Sequence, residues 1–196
     1  MDTSDKGNTV AKSISNFKSS VTTNGGYYIG RYEARTETKR TSSKNDLTQI
    51  TEKGTDQVYN YVTQMQAASQ AQGMYDNTHP FTSDLMNSYA WDTTTLFLQN
   101  CGTNKKYSRQ TSLNSSLLQT GTNTLTETNE IDKQCNVYDM ASNIVEWTTE
   151  TSSNSNYPFI NRGGYYYNSN CYTSLRNYTF RSSSNGNIGF RPLLYL

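Results

Sequence analysis

Helical spacing is clearest over residues 58–75, VYNYVTQMQAASQAQGMY, where Val62, Met65, Ala68 or Ser69, and Gln72 share one face flanked by Ala67, Ala71 and Met74. The pattern predicts a helix with Met65 and Met74 as core filler. A second helix is predicted through residues 84–100, DLMNSYAWDTTTLFLQN, capped by Thr82-Ser83-Asp84 and closed by Cys101-Gly102. Leu85, Tyr89, Thr93, Leu96 and Phe97 recur at helical spacing along it. Elsewhere the patterning is shorter. Tyr27, Tyr28, Ile29 and Tyr32 in YYIGRYEA indicate a strand after the break at Gly25-Gly26. Residues 136–150, NVYDMASNIVEWTTE, read as strand, turn at Ala141-Ser142-Asn143, and second strand.

The remaining stretches are polar. Residues 1–24 carry only Ile14, Phe17 and Val21 at spacings of three and four, which fits a polar tail or a short amphipathic helix, the tail being preferred. Residues 35–54 form a charged loop, and residues 103–129 form a long Ser/Thr/Asn/Gly excursion with one short hairpin at most. One α+β domain over residues 25–196 is expected, with two helices, short antiparallel strands and much irregular loop.

Composition sharpens this picture. Hydrophobic residues make up 33% of the 196 positions and charged residues 17%, so the polarity comes from neutral side chains, and 16 tyrosines carry much of the apolar area. Residues 1–155 hold 13 Lys and Arg against all 16 acids, net −3, whereas residues 156–196 hold four Arg and no acid, net +4. Four scattered arginines make no phosphate-tracking groove, and no nucleic-acid partner is expected. Cys101, Cys135 and Cys171 fit neither a metal knuckle nor an even disulfide framework. One disulfide with a free thiol and three free thiols both remain open. No apolar run reaches the length of a membrane span, and no signal or anchor is read in the chain.

Three passages in order, YYIGRYEA, VYDMASNIVEWT and RGG followed by IGFRP, resemble the formylglycine-generating-enzyme and sulfatase-modifying-factor family, a branch of the C-type-lectin-like folds. The similarity runs over about residues 26–196. It implies a C-type-lectin-like fold in which Asn143, Glu146 and Trp147 act as struts, Glu146 meeting Arg162 or Arg191. Ser142 stands where the family has glycine, and Val145 where it often has tryptophan. The family's oxidases bind copper through two cysteines after the RGG segment. Carried onto this chain those positions are Asn168 and Thr173, which cannot be thiolates, and Cys171 between them stands alone. Related iron oxidases use a histidine cluster, whereas this chain has His79 alone. The expectation is therefore a protein without catalytic activity. Calcium, which lectin-like folds often hold, finds no dense acidic loop to bind it, and no cofactor is expected.

Between the RGG and IGFR passages the residues change character. Tyr165, Tyr166, Tyr167, Asn168, Ser169, Asn170, Cys171, Tyr172, Thr173, Ser174, Asn177 and Tyr178 have the makeup of an antibody contact surface, in which Tyr supplies rigid amphipathic area and Ser and Asn adaptable hydrogen bonds. Lys, Glu, Gln, Met and Trp, roughly a fifth of residues 1–155, are absent from the 41 residues that follow. This resembles the variable proteins of diversity-generating retroelements, where randomised asparagine codons yield Tyr, Ser, Thr, Cys, Phe, Gly or Leu but none of those five. The resemblance implies a receptor-type protein whose segment 162–191 contacts a protein or glycan ligand, displayed outside the cell or on a phage particle. The competing readings are a structural or assembly protein with a static polar face and, third, an oxidase-like enzyme.

Overall fold

The computed structural model describes residues 14–44, 47–51, 57–75, 78–110, 132–166, 168 and 170–196. Its elements in chain order are α1 (Ile14–Asn24), β1 (Tyr28–Ile29), β2 (Arg35–Thr36), β3 (Gln57–Val58), α2 (Gln64–Gln72), β4 (Thr82–Leu85) and α3 (Ser88–Cys101). A 3-10 turn at Tyr107–Arg109 follows, then β5 (Lys133–Gln134), β6 (Val137–Tyr138), β7 (Val145–Thr151), β8 (Phe159–Arg162), β9 (Arg176–Thr179), β10 (Ile188–Phe190) and β11 (Pro192–Tyr195).

Two sheets organise the domain. One has the order β1-β11-β4 and is antiparallel, tying the chain's end to its early strands. The other has the order β10-β7-β8-β9, with β10 running parallel to β7 so that Phe190 lies opposite Trp147. This is the one parallel pair among the described strands, whose other pairings are the short antiparallel ones expected. Two short ribbons, β2-β3 and β5-β6, complete the pairing among the described residues.

The helices differ from the pattern in instructive ways. Ile14 and Phe17 of α1 are buried, and the Phe17 ring packs 5.4 Å from both Tyr27 and Tyr195, so these residues form the amphipathic helix rather than a tail. Residues 1–13 of the tail lie outside the described residues. α2 starts at a capping box: Thr63 Oγ1 accepts from Gln66 N at 3.3 Å, and Gln66 Oε1 accepts from Thr63 N at 2.9 Å. Its buried face is Gln64, Ala67, Ala68 and Ala71, and Met65 is exposed rather than core. Gln64 takes an inward place because its amide donates to Thr148 O and Glu150 O across the core, a use that a hydrophobic count cannot register.

Thr82, Ser83 and Asp84 belong to β4, paired with β11, and the cap of α3 is Asn87, whose Oδ1 accepts from Ala90 N at 2.9 Å. The inner face is therefore Ala90, Trp91, Thr94, Thr95 and Leu98, while Leu96 and Phe97 are exposed. Likewise, residues 136–150 do not make one hairpin. β6 returns onto β5, β7 joins the larger sheet, and the connection turns through left-handed backbone at Asp139 (φ 63°) and Asn143 (φ 58°). Ser142 is not left-handed; its hydroxyl donates to Asp132 and Asp139 instead. The core forms around Trp147, with Tyr59, Val62, Leu85 and Phe190, and around Trp91, with Phe17, Met86, Leu98 and Leu193.

Candidate functional site

The Tyr/Asn/Ser segment leaves the sheet at Arg162, returns to it as β9 over Arg176–Thr179, and joins it again at Ile188. Gly163 adopts φ +87°, and a Cβ on Gly164 would lie 2.1 Å from Ala141 O and 2.8 Å from Cys171 O. Only glycine permits this approach of the segment's start to the 139–143 turn. At the far end Arg191 is fully buried: Nη2 is 2.7 Å from Glu146 Oε1 and 2.8 Å from Tyr138 O, and Nη1 donates to Gly30 O. Burial alone would lower this guanidinium, but the Glu146 charge overrides it and its pKa is raised.

Arg162 is the second buried clamp. Its Nη1 donates to Ser174 O at 3.0 Å and Leu175 O at 3.4 Å, its Nε lies 3.0 Å from Glu150 Oε1, and its Nη2 pairs with Asp92. Arg176 on β9 reaches the same two carboxylates, 2.8 Å to Glu150 and 2.6 Å to Asp92. Two arginines of the polar segment thus share two acids from α3 and β7, and the backbone between them is held by one of these cations. Trp91 adds a third support, its Nε1 donating to Thr173 O at 2.9 Å.

Residues 107–110 brace the segment from outside it. Thr173 N donates to Gln110 O and Ser174 N to Ser108 O. The brace is in turn tied to the 139–143 turn through Asp132, which accepts from Tyr107 OH at 2.8 Å on one oxygen, and from Ala141 N (2.8 Å) and Ser142 Oγ (2.9 Å) on the other. Burial, with the Asp139 charge added, raises the Asp132 carboxyl to about 7. Asn143 closes the turn by donating to Glu33, a carboxylate whose pKa burial pushes well above the usual range, and its carbonyl accepts from Tyr166 N at 2.9 Å.

Within this frame the twelve sequence-derived contact residues divide. Asn170, Tyr172, Ser174, Asn177 and Tyr178 are exposed, Tyr172 at 46% and Tyr178 at 55%. Tyr165, Tyr166 and Asn168 are half-buried, with Tyr165 packed against the Trp147 cluster. Cys171 and Thr173 are buried and present no side chain outward, a correction to their placement on the surface. Thr173 is drawn in by its bonds to Gln110 and Trp91, and burial raises the Cys171 thiol. Tyr167 and Ser169 lie outside the described residues. β9, carrying Asn177 and Tyr178, is the edge strand of its sheet, while Phe180 just beyond it rests on Tyr157 at 4.6 Å between ring centroids.

Sequence reasoning placed Arg162, Arg191, Glu146 and Trp147 correctly in the frame but missed Asp92, Glu150, Glu33, Asp132 and Trp91. The signal for Glu150 was present: it follows Glu146 by four residues on a strand, hence on the same face, in a chain whose last segment has arginines and no acids.

No protein-family model matches the chain, and no curated protein matches it by sequence. Solved structures do. Treponema denticola variable protein 1 superposes with a TM-score of 0.60 at 14% identity, covering 87% of this chain and 84% of that one. PvdO from Pseudomonas aeruginosa gives 0.57 at 14% identity, over 87% and 80% of the two chains. CarF gives 0.56 at 14% identity, over 93% and 81%. The fold is C-type-lectin-like, of the formylglycine-generating-enzyme type.

Proposed function

We propose that the chain is a non-catalytic, receptor-type binding module whose segment 162–191 presents a replaceable ligand-contact face. The observation that carries this reading is a division of labour within the segment. Its backbone is gripped from behind by Arg162, Trp91 and the carbonyls of Ser108 and Gln110, while Asn170, Tyr172, Ser174, Asn177 and Tyr178 turn outward with their side chains free of the core. Side chains held this way can change without unmaking the frame. The likeness in fold to a protein named variable protein 1 supports the same reading. So do Asn168 and Thr173 at the positions where the related oxidases carry cysteines, because neither can be a thiolate.

A displayed library randomised at those five exposed positions tests it, with hen lysozyme as an arbitrary protein target. Most clones are expected to melt close to the parent, and selection is expected to yield binders that lose affinity when Tyr172 or Tyr178 is reverted to Ala where retained. Widespread misfolding of the library would refute the replaceable face.

A further inference from the structure

Of the four arginines in the last 41 residues the structure engages three internally: Arg162 and Arg176 on Glu150 and Asp92, and Arg191 on Glu146. Arg181 stays exposed over the Phe159 ring, and the remaining positive charge beside the contact face comes from outside the segment. Residues 105–109, Lys-Lys-Tyr-Ser-Arg, form the brace described above, with Tyr107 buried beneath and Lys105, Lys106 and Arg109 exposed. Arg109 lies between Ser108 and Gln110, the residues whose carbonyls hold Ser174 and Thr173, so it borders exposed Tyr172 and Ser174. Lys105 Nζ donates to the Asn100 carbonyl, and among the described residues no carboxylate pairs with Lys105, Lys106 or Arg109. Of the described acids only Glu37 and Asp92 are exposed, and both oxygens of Asp92 are engaged by the two arginines.

We propose that Lys105, Lys106 and Arg109 form a fixed cationic rim of the contact face and select protein ligands whose contacting surface is acidic. This rests on the binding function proposed above and adds the partner's chemistry. A face built from Tyr, Asn and Ser has rigid anchors and adaptable hydrogen bonds but no charge, so by itself it supplies neither long-range attraction nor rejection of wrong partners. Exposed cations at its border supply both: they raise the encounter rate with an acidic surface and oppose a basic one. Because the rim lies outside the segment, the charge preference persists when the contact side chains change. A protein surface is favoured over a glycan because the exposed tyrosines and asparagines match the composition of protein-binding paratopes.

The test is selection from a displayed library of random linear 12-residue peptides, with a heparin column run in parallel. Three forms of the full chain are compared: wild type, the rim variant Lys105→Gln/Lys106→Gln/Arg109→Gln, and a control variant Lys18→Gln/Lys39→Gln/Lys44→Gln that removes three exposed lysines elsewhere. Wild type and control are expected to enrich peptides with an excess of Asp and Glu. The rim variant is expected to capture those peptides about tenfold less well at low salt, with the gap closing as salt is raised. Persistence of acidic enrichment in the rim variant, or its equal loss in the control, overturns the proposal. Heparin retention without acidic peptides assigns the rim to a polyanionic glycan and overturns the protein assignment. Neutral or basic enriched peptides, or none, also overturn it. If Tyr172→Ala and Tyr178→Ala abolish peptide capture while the rim variant leaves peptide charge unchanged, the binding function stands and the rim falls.

Discussion

Replacing Arg162 by Met isolates the clamp that holds the contact face. Methionine keeps similar length and apolar contact but removes the cation, whose side chain is fully buried. Three things are lost: the approach to Glu150, the pairing with Asp92, and the donors to Ser174 O and Leu175 O. Removing one partner of a buried pair costs about 3–5 kcal/mol, and each carbonyl left without a donor adds about 1 kcal/mol. Glu150 retains Arg176 at 2.8 Å, and Asp92 is half exposed, so the lower half of that range applies, and with the two carbonyls the loss is about 5–6 kcal/mol in all. For a chain of this size that corresponds to a fall in Tm of roughly 15 °C. The comparison is Arg176→Met: its side chain is 31% exposed, and solvent screening reduces its contribution to about 1 kcal/mol or less. Calorimetric melting of both variants decides the matter, with hydrogen exchange at residues 172–175 reporting whether the segment loosens. Equal Tm losses for the two, or a loss under about 3 °C for Arg162→Met, would refute the assignment of the segment's support to the buried arginine.

Further outcomes follow from the same frame. Trp147→Ala should cost about 3–5 kcal/mol in chemical denaturation, since a wholly buried indole bonded to Val62 O is removed, whereas Tyr172→Ala should stay within about 0.5 kcal/mol. Gly164→Ala should destabilise the fold by at least 1–3 kcal/mol, roughly, because the backbone carbonyls of Ala141 and Cys171 occupy the space its methyl needs; an unchanged Tm would contradict that approach. Asp132 gives stability a pH dependence. Its folded pKa of about 7 stands above the ordinary 3.8, so the folded state holds the proton more tightly. Its contribution is greatest below about pH 4, declines as pH rises to 7, and is level beyond, spanning about 4 kcal/mol at most. Urea titrations at pH 5 and 8 should show this difference in the wild type and a smaller one in Asp132→Asn; identical differences would exclude Asp132 as its source.

Motif wording in the sequence reached the frame because its residues are fixed by covalent neighbours and close approach: Gly163-Gly164 against the 139–143 turn, Trp147 in the core, and Arg191 against Glu146. The helix faces were misread where polar side chains do core duty. Gln64 and Thr94 point inward to bonding partners or packing, and their hydrophobic neighbours Met65 and Leu96 are left outside. The contact segment was legible in composition but not in orientation. Nothing in the string Asn-Cys-Tyr-Thr-Ser shows that alternate residues turn inward, because Thr173 is fixed by Gln110 and Trp91, more than 60 residues away in sequence. The arginines of the last segment read as scattered rather than as a groove, but their partners were not legible, because the acids that meet them come from β7 and α3.

β7 has β8 on one side and β10 on the other, so both ends of the polar segment are stitched to a single strand. Since β9 is itself paired with β8 within that span, only the stretches between these fixed points, not the segment as a whole, can change length at little cost. Doubling the number of residues in such a closed loop costs only about 0.6 kcal/mol of closure entropy. Relatives of this chain should accordingly vary in how many residues they insert beyond Arg162 while keeping the two docking points in register.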